Sequence, residues 1–432
     1  MENKTDQSSL KTTVGTSTLK NSYDAGREIG EKILKKLNCK PNLVLLFSTL
    51  HYEKYDGGLK DLLKGIWSVL PEDTQLAGGT VPGFLNADGC YARGVTALAI
   101  NYPKMNITIG YGKNTKRNPK KAAKHTVEMI KSNLKNEYKN KFIFSFIAGG
   151  KNPDLPGVKN TNVINSKIKA RIMLSMISVM QKVFQIGFGR EGEILEHAIK
   201  ELPDFNIIHS SSYSMPPFKE NYQFYNREVL DECALFAAID TDLDFNIDFA
   251  TGAEKTNIDF KITQINKNRT MIKKLNNKPP LKEFLYKMGW DYDAFQEFKW
   301  SDITSRYPMA YIKNDKIILR PTLMILGNYM GFLTKVEKDN IFITKITQDQ
   351  MVHAVDEILK PIKAEFGFFT SCIARRDFLG IKVFKVQEKM KEYFKDKDFL
   401  LIYSAGEGIY KPEEGFYFLN ETITSAIFEK KQ

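Results

Sequence analysis

The residues in this sequence that are best suited to chemistry follow the ends of two apolar stretches near the C-terminus. The first stretch ends at Ser371, Cys372 and Arg375, which supply a hydroxyl, a thiol and a guanidinium. The second ends just before Glu407, which supplies a carboxylate. Each stretch has the length and composition of a buried strand, so the polar groups are predicted to lie at strand ends. If the two ends meet, they form the kind of site that binds small molecules, apolar with a few placed polar groups.

The charges of this stretch fit an amino acid. A guanidinium at a strand end suits bidentate capture of a carboxylate, so Arg375 is predicted to pair with an anionic ligand group. Glu407 would hold the ligand's amine. Ser371, Asn420 and Thr422 would complete the hydrogen bonds, because Asn420 and Thr422 are two residues apart on one face of a predicted strand. The alternative is a structural ion pair between Arg375 and Glu407.

Cys372 leaves a thiol enzyme open as an alternative. A nearby Arg375 lowers the pKa of a thiol and so favours the nucleophilic thiolate. Catalysis also needs a general base, and no histidine follows His353 in the sequence. Glu407 would serve only if the fold brings it close. We therefore predict ligand contact or simple burial for Cys372, and a protein that is not an enzyme.

The composition indicates a soluble globular protein with more than one subdomain. The chain has 432 residues, of which 42% are hydrophobic and 26% charged. That length exceeds what one hydrophobic core usually serves. No run of about 18 apolar residues is present, so no membrane-spanning helix is expected. The four cysteines are far apart and form no CxxC pair, which suits a reducing cytoplasm and disfavours structural zinc or disulfides.

The net charge of +12 does not by itself predict a nucleic-acid partner. Lys outnumbers Arg about five to one, whereas specific phosphate and base recognition favours Arg. The densest basic run, residues 116–121, is typical of a solvated helix start. We expect neither nucleic acid nor a membrane as a partner.

The order of the predicted elements favours an α+β fold of stacked mixed or antiparallel sheets flanked by helices. A strand, a helix, a strand and a further strand pair follow one another from Leu43 onward. The same order recurs from a strand predicted at Val183–Ile186 and a helix at Gly192–Leu202, and again in the C-terminal stretch. Leu70–Pro71 and Leu202–Pro203 are one local match between the first two copies. We therefore predict repeated strand–helix–strand–strand units.

Several short motifs, in order, resemble the FIST domain family. The resemblance covers roughly residues 40 to 428, and its pieces are a Gly-rich turn at residues 78–83 followed by Gly89 and Gly94, a linker helix beginning Lys278-Pro279-Pro280-Leu281, and a C-terminal signature of Ser371-Cys372-x-x-Arg375, Leu379-Gly380, Gly406-Glu407 and Asn420-x-Thr422. The sequence departs from the family pattern at Gly79, where the first turn usually has Cys, and at Gly408, where Ile is usual.

The resemblance implies a stand-alone sensory protein that binds a small ligand, for which amino acids have been proposed. It adds Gly78, Gly79 and Thr80 of the first turn, and Gly406 beside Glu407, to the predicted ligand site. No kinase, F-box or receptor segment is recognisable, so a signalling partner would be a separate protein chain. No cofactor is predicted.

The resemblance also gives the predicted domain boundaries. Residues 1–20 are expected to be a disordered lead-in, because they are polar and lack the apolar core of a signal peptide. Residues 21–264 would form a FIST N-terminal-like domain with two repeats, at about 40–135 and 180–264. Residues 265–432 would form the FIST C-terminal-like domain.

Three other functions remain open on the sequence. Gly187–Gly192 has the glycine spacing of a dinucleotide-binding turn after a predicted strand, which would suit a nucleotide-dependent oxidoreductase. No acidic residue for a ribose follows the next strand, which ends at His209–Ser212. Some FIST proteins bind haem, and His209 is the best axial-ligand candidate by position. A protein-interaction scaffold is the third alternative.

Overall fold

Four β-sheets flanked by helices make up the computed structural model of the protein, which confirms the predicted α+β fold. The structure describes residues 9–54, 57–151, 163–164, 166–187, 189–213, 220–291, 304–360 and 363–430. The helices are α1 (Ser22–Leu37), α2 (Gly58–Trp67), α3 (Pro119–Asn133), α4 (Lys167–Val179), α5 (Glu191–Glu201), α6 (Pro280–Met288), α7 (Gln348–Ile358), α8 (Ile373–Leu379) and α9 (Val383–Phe394). Among the described residues, no helix is long and apolar enough to cross a lipid bilayer.

Three of the sheets have six strands each, which are numbered along the chain but follow one another in a different order in space. From one edge to the other, sheet I contains β1 (Lys11–Ser17), β6 (Val95–Asn101), β2 (Leu43–Ser48), β3 (Gln75–Thr80), β11 (Tyr222–Tyr225) and β12 (Glu228–Asp231). Sheet II contains β7 (Met105–Lys113), β13 (Cys233–Thr241), β8 (Asn140–Ala148), β10 (Asn206–Ser212), β24 (Glu407–Lys411) and β25 (Gly415–Leu419). Sheet III contains β14 (Asp244–Ala250), β26 (Ile423–Glu429), β22 (Ala364–Cys372), β23 (Asp398–Ser404), β4 (Phe84–Asn86) and β5 (Gly89–Tyr91).

Sheets I, II and III share one plan. Each has a parallel strand pair at its centre: β2 with β3, β8 with β10, and β22 with β23. In the sequence, helices lie between the two strands of each pair: α2 in sheet I, α4 and α5 in sheet II, and α8 and α9 in sheet III. The hairpin that follows each pair in the sequence belongs to another of the three sheets. The hairpin after the sheet I pair, β4–β5, lies in sheet III. The hairpin after the sheet II pair, β11–β12, lies in sheet I, and the hairpin after the sheet III pair, β24–β25, lies in sheet II.

Sheet IV has eight strands and covers much of the remaining chain. In spatial order they are β18 (Lys316–Arg320), β17 (Met309–Lys313), β21 (Asn340–Lys345), β15 (Glu254–Ile265), β16 (Met271–Leu275), β20 (Tyr329–Phe332), β19 (Thr322–Leu326) and β9 (Val163–Ile164). Helix α6 packs against this sheet, where Phe284 stacks on Phe260 of β15 at 6.3 Å between ring centroids.

The main core lies where the central strands of sheets I, II and III face one another. Phe47 of β2, Phe146 of β8 and Phe368 of β22 contact one another there, with ring centroids 5.1 to 6.2 Å apart. All six residues of β2 are buried, as expected of a parallel strand covered on both faces. Because these central strands are held by packing in the core, the positions of their C-terminal ends are fixed as well.

Local sequence signals explain where several helices begin. Thr347 accepts from the Gln350 amide and its own amide donates to the Gln350 side chain, a capping box at the start of α7. Asn21 caps α1 by accepting from the Asp24 amide. Pro280 begins α6, at a position where the missing N–H costs little. The linker helix predicted to begin Lys278-Pro279-Pro280-Leu281 thus agrees with α6.

The prediction of a disordered lead-in is wrong for residues 11–17. This segment is β1, which pairs antiparallel with β6 over its whole length and buries Val14. Its sequence has three Thr residues and a single Val, which is too polar to predict a strand in isolation, but the edge of β6 supplies the hydrogen bonds. Residues 1–8 lie outside the described part of the chain.

The strand predicted at Val183–Ile186 is also wrong. Met180–Phe184 form a π-helical turn that continues α4, since a short apolar run does not distinguish a strand from a helix end. The strand that occupies the corresponding place in sheet II is β8, at Asn140–Ala148. The element order of the second unit therefore starts near residue 140 rather than 180.

The predicted domain boundary at residue 264 does not separate two bodies in space. It falls within β15. Sheet II contains β24 and β25 from the C-terminal side of this boundary, and sheet III contains β4, β5 and β14 from the N-terminal side. Strands from both sides of the boundary thus complete each other's sheets.

Candidate functional site

The C-terminal ends of β22 and β23 lie side by side, along the edge of sheet III that is formed by strand ends. Their parallel register places Cys372 opposite Ser404. The turn before β26 lies against the same edge, since the Cys372 amide donates to the Thr422 carbonyl at 3.0 Å. The start of β24 reaches this edge from sheet II, where Glu407 is opposite Ser210 of β10. Strand ends from two sheets thus enclose one group of polar side chains.

Glu407 is at the centre of this group and is fully buried. The Ser404 hydroxyl donates to Oε1 at 2.6 Å, and the Thr422 hydroxyl donates to Oε2 at 3.3 Å. Burial raises the pKa of Glu407 to about 8, and the two hydroxyls and Arg375 oppose that shift. Near neutral pH this side chain is therefore a carboxylic acid that ionises when a cation approaches.

Glu421 is a second buried carboxyl that the sequence analysis did not include. Burial raises its pKa to about 8, and a hydrogen bond with Ser305 and the charge of Arg375 lower it. Its Oε2 has no hydrogen-bond partner among the described residues. The backbone of Glu421 has φ of +52°, a left-handed conformation that is uncommon outside glycine and is often found at functional sites. The one signal available in the sequence was that Glu421 lies between Asn420 and Thr422 of the predicted C-terminal signature.

Arg375 is almost fully buried, but its position differs from the prediction. It lies on α8, not at a strand end, because the strand stops at Cys372. Its Nη1 donates to the Thr251 carbonyl at 2.6 Å and its Nη2 to the Met351 carbonyl at 2.9 Å. Each terminal nitrogen thus already donates one of its two N–H groups to a backbone carbonyl, and the bidentate capture of a ligand carboxylate stays a prediction.

Arg375 keeps donors for further contacts. Its Nε has no hydrogen-bond partner among the described residues. Burial lowers the pKa of Arg375 to about 10, and Cys372, Glu407 and Glu421 raise it. The guanidinium thus stays charged beside two carboxyls and offers its Nε–H in addition to the second N–H of each terminal nitrogen.

Cys372 is buried next to these carboxyls, which determines the state of its thiol. Burial raises the pKa of the thiol well above its ordinary value, and Glu407 and Glu421 raise it further. This is opposite to the effect expected from Arg375 alone. A thiol that stays protonated is a poor nucleophile, so this geometry does not support Cys372 catalysis.

The other predicted residues of the C-terminal signature lie around this group. Ser371 is buried in β22 between Tyr403 and Ile423. The Gly406 carbonyl accepts from the Ser211 amide, and a Cβ on Gly406 would lie 2.9 Å from the Ser211 hydroxyl oxygen. Gly406 therefore allows β24 to approach β10 closely.

Asn420 and Thr422 belong to the turn before β26, not to the predicted strand face, because β26 begins at Ile423. Asn420 accepts from the Thr334 hydroxyl at 2.9 Å. Thr422 donates to Glu407. Of these two residues, Thr422 is the one in contact with the buried carboxyls.

The predicted residues of the first Gly-rich turn belong to β3 in sheet I. A Cβ on Gly78 would overlap the Leu46 carbonyl, and one on Gly79 would lie 2.6 Å from the Tyr222 carbonyl. These glycines are explained by close strand packing. The Thr80 hydroxyl accepts from the Tyr222 amide at 2.9 Å.

Tyr213 connects the first Gly-rich turn to the group of buried polar side chains around Glu407. Its amide donates to the Thr80 carbonyl at 3.1 Å. Burial raises the pKa of its phenol, and the Cys372 thiol and Asp377 raise it further. Gly78, Gly79 and Thr80 are thus at the border of the site, and Tyr213 is a residue that the sequence analysis missed.

His209 is fully buried and uses both ring nitrogens. Nδ1 lies 3.0 Å from the Ser145 hydroxyl and Nε2 lies 3.2 Å from the Ser211 hydroxyl. Burial lowers its pKa to about 3, so the ring is neutral. With neither nitrogen free and Phe418 packed 5.9 Å away, the surroundings do not fit haem ligation.

The glycine turn at residues 187–192 does not have the surroundings of a dinucleotide site. It follows a helical turn, not a strand, and Phe188 lies outside the described residues. A Cβ on Gly189 would overlap the carboxyl oxygens of Glu191. The carboxyl of Glu191 thus occupies the helix start where a pyrophosphate would have to bind.

No group of three or more His, Cys, Asp or Glu side chains in the described ranges is arranged to hold a metal ion. The chemistry available at the carboxyl group is therefore that of two acids, a guanidinium and hydroxyls. Such a set accepts from ligand N–H groups and donates to a ligand oxygen.

A model of the FIST N domain matches residues 42–278 of this chain. The match spans more than half of the sequence, so the protein belongs to the FIST family, as the resemblance predicted. FIST domains are generally sensory domains for small ligands. Arg375, Glu407 and Glu421 lie outside the matched residues.

Individual proteins add little to this family assignment. An uncharacterised protein of Methanocaldococcus jannaschii is 23% identical over 448 residues, which cover 96% of this chain and 78% of the relative. A cyanuric acid hydrolase structure has 9% identity and a TM-score of 0.27 over 56% of this chain and 72% of its own. PurLQS from Thermotoga maritima has 10% identity and a TM-score of 0.21 over 97% and 72%. At these TM-scores neither structure supports an argument about fold or activity.

Proposed function

We propose that this protein is a non-catalytic sensor that binds an amino acid, or a similar small molecule with an ammonium group beside an oxygen acceptor. The ligand site is the group of Glu407, Glu421, Arg375, Ser404 and Thr422. We propose that the protein works in the cytoplasm and passes its signal to a separate partner protein.

The observation that supports this most is a pair of buried polar atoms without partners. Oε2 of Glu421 lacks a donor and Nε of Arg375 lacks an acceptor, within the described part of the chain. Buried groups of this kind are rare in native proteins, and a bound ligand is one explanation for them. An amino acid has both complements, since its ammonium donates and its carboxylate accepts.

The charges also favour such a ligand. With one of Glu407 and Glu421 ionised beside Arg375, the group is electrically neutral and matches an amino acid, whose ammonium and carboxylate charges also cancel. Hydrogen bonds to charged groups contribute about 1.5–3 kcal/mol each. The ligand carboxylate would accept from Nε of Arg375, whose terminal nitrogens already donate to the Thr251 and Met351 carbonyls.

Burial of the site gives the binding event a structural consequence. Glu407, Glu421 and Arg375 are each less than one-twentieth exposed, so a ligand reaches them only when a neighbouring segment moves. A ligand that binds the opened form shifts the population towards that form. This shift is the change that a partner protein would read.

A thermal-shift screen of the full chain against the amino acids and simple amines tests this function. A ligand at about 100 times its dissociation constant adds roughly 2.7 kcal/mol of stability, which is visible as a shift of a few degrees. Glu421→Gln keeps the side-chain shape but removes the charge, so the shift should vanish or fall to a small fraction. Glu413→Gln, on an exposed turn, is the matched control and should keep the full shift. If no compound stabilises the wild type, or if Glu421→Gln responds like the control, the proposal is wrong.

A further inference from the structure

Helix α4 and the π-helical turn that follows it expose an apolar stripe. Its members are Ile168, Ile172, Met176, Val179 and Val183, with Phe184 beside the last. Each is between 49% and 73% exposed. The spacing of three and four residues places them on one face of the helix, which we call the α4 face. Six of the exposed large hydrophobic side chains of the described chain are concentrated in these 17 residues.

The charged residues in the segment of the sequence that carries the α4 face are all of one sign. Residues 155–190 contain six Lys or Arg and no Asp or Glu. Two of these, Lys169 and Lys182, are exposed near the two ends of the stripe. A helix with an apolar face and only cations on its flanks is the pattern of a segment that lies on a membrane surface.

A second element adds positive charge at one end of the α4 face. Arg117 donates from Nε to the Lys182 carbonyl at 2.8 Å and from Nη2 to the Val183 carbonyl at 2.6 Å. The first turn of α3 follows Arg117 directly and exposes Lys120 and Lys121. The basic run that the sequence analysis assigned to a solvated helix start thus lies beside the exposed apolar stripe.

We propose that the α4 face docks on the surface of a lipid bilayer that contains anionic lipids. The aliphatic side chains enter the boundary between headgroups and acyl chains, and the lysines contact the anionic headgroups. This interaction is peripheral and replaces our expectation that no membrane is a partner. It goes beyond the proposed ligand sensing and does not depend on it.

The charges disfavour a second copy of the chain as the occupant. An antiparallel pair of α4 faces centred on Met176 would bring the Lys169 end of one helix next to the Lys182 end of the other. Like charges would then meet at both ends without an acid to separate them. An anionic bilayer has the opposite charge and needs no matching groove.

Vesicle sedimentation with the full-length protein tests the proposal. Phosphatidylcholine vesicles with about 30% phosphatidylserine should pellet the protein, and pure phosphatidylcholine vesicles should pellet at least about fivefold less. Raising the salt to about 0.5 M should reduce binding to the anionic vesicles, because the lysine contribution is screened. The double variant Ile172→Gln/Met176→Gln should bind at least about tenfold less, since the apolar face loses its two central side chains.

Two controls distinguish docking of the α4 face from general surface stickiness and from loss of folding. Ile381→Gln removes an exposed apolar side chain elsewhere in the chain and should leave vesicle binding unchanged, and circular dichroism should show that every variant is folded. If the wild type does not bind anionic vesicles, the proposal is overturned. It is equally overturned if the wild type is a dimer in solution and the double variant is a monomer, or if the double variant binds vesicles like the wild type.

Discussion

Glu407 and Glu421 show how strongly burial determines the chemistry of single residues in this protein. Both are ordinary glutamates in the sequence, yet burial raises the pKa of each to about 8. Only Glu407 was predicted as a site residue, because it follows an apolar strand and a glycine. Glu421 was missed because its role depends on a left-handed turn and on its distance to Arg375. Arg375 was predicted as a site residue, but a sequence does not reveal that its two terminal nitrogens each donate a hydrogen bond to a backbone carbonyl.

The raised pKa of Glu407 predicts that stability decreases as the pH rises. Its pKa is about 8 in the folded protein and near 4.5 when exposed, so the unfolded chain loses its proton first. The contribution to stability is complete below about pH 4.5 and is lost as the pH rises through about 8. Urea unfolding between pH 5 and pH 8.5 should show a decline on the order of a few kcal/mol. Glu407→Gln, which has no proton to lose, should flatten this decline, and a slope equal to that of the wild type would refute the assignment.

At the scale of elements, helices with clear caps and long apolar strands were predictable, and short ambiguous runs were not. The predicted linker helix beginning Lys278-Pro279-Pro280-Leu281 agrees with α6, which starts at Pro280. The run at Val183–Ile186 was assigned to a strand because four apolar-rich residues fit either element. The edge strand β1 depends on pairing with β6, and no pattern within its own seven residues indicates that partner.

A buried ion pair between the loop that precedes α3 and the residue that precedes β13 gives a prediction at this scale. Lys116 is fully buried, and its Nζ lies 2.5 Å from Oε2 of Glu232. Lys116→Met would leave the Glu232 carboxylate buried without its partner, at a cost of about 3–5 kcal/mol. Urea unfolding measures this cost. The double variant Lys116→Met/Glu232→Gln should recover a large part of it, and exposed Lys120→Met should change stability by less than about 0.5 kcal/mol. A single variant as stable as the wild type would show that the pair contributes nothing.

At the scale of the whole molecule, the exchange of hairpins among sheets I, II and III is the feature that the sequence could not show. The order of elements predicted the α+β class. It did not indicate that the hairpins β4–β5, β11–β12 and β24–β25 each belong to a sheet other than the one that contains the preceding parallel strand pair. Which sheet accepts a hairpin depends on long-range contacts, since β24 and β10 are about 200 residues apart in the chain. For the same reason the predicted N- and C-terminal domains are joined by shared sheets.

The exchange predicts that the N-terminal part does not fold alone. A fragment of residues 21–264 lacks β24, which pairs with β10, and it lacks β23 and β26, which pair with β4 and β14 in sheet III. It should therefore aggregate or show no cooperative thermal transition, whereas the full chain unfolds cooperatively. Co-expression with residues 265–432 should restore a folded complex. A fragment that is monomeric and unfolds cooperatively by itself would contradict this account.

The most direct test of the central claim is the number of protons released when the ligand binds. Isothermal titration of the stabilising compound at pH 7, in buffers of different ionisation enthalpy, measures that number. An ammonium group that binds beside Glu407 and Glu421 should ionise a carboxyl whose pKa is about 8, so we expect release of up to about one proton per ligand. Glu421→Gln should lower both the affinity and the release. Binding without proton release, at an affinity that Glu421→Gln leaves unchanged, would contradict the claim that these buried carboxyls recognise the ligand.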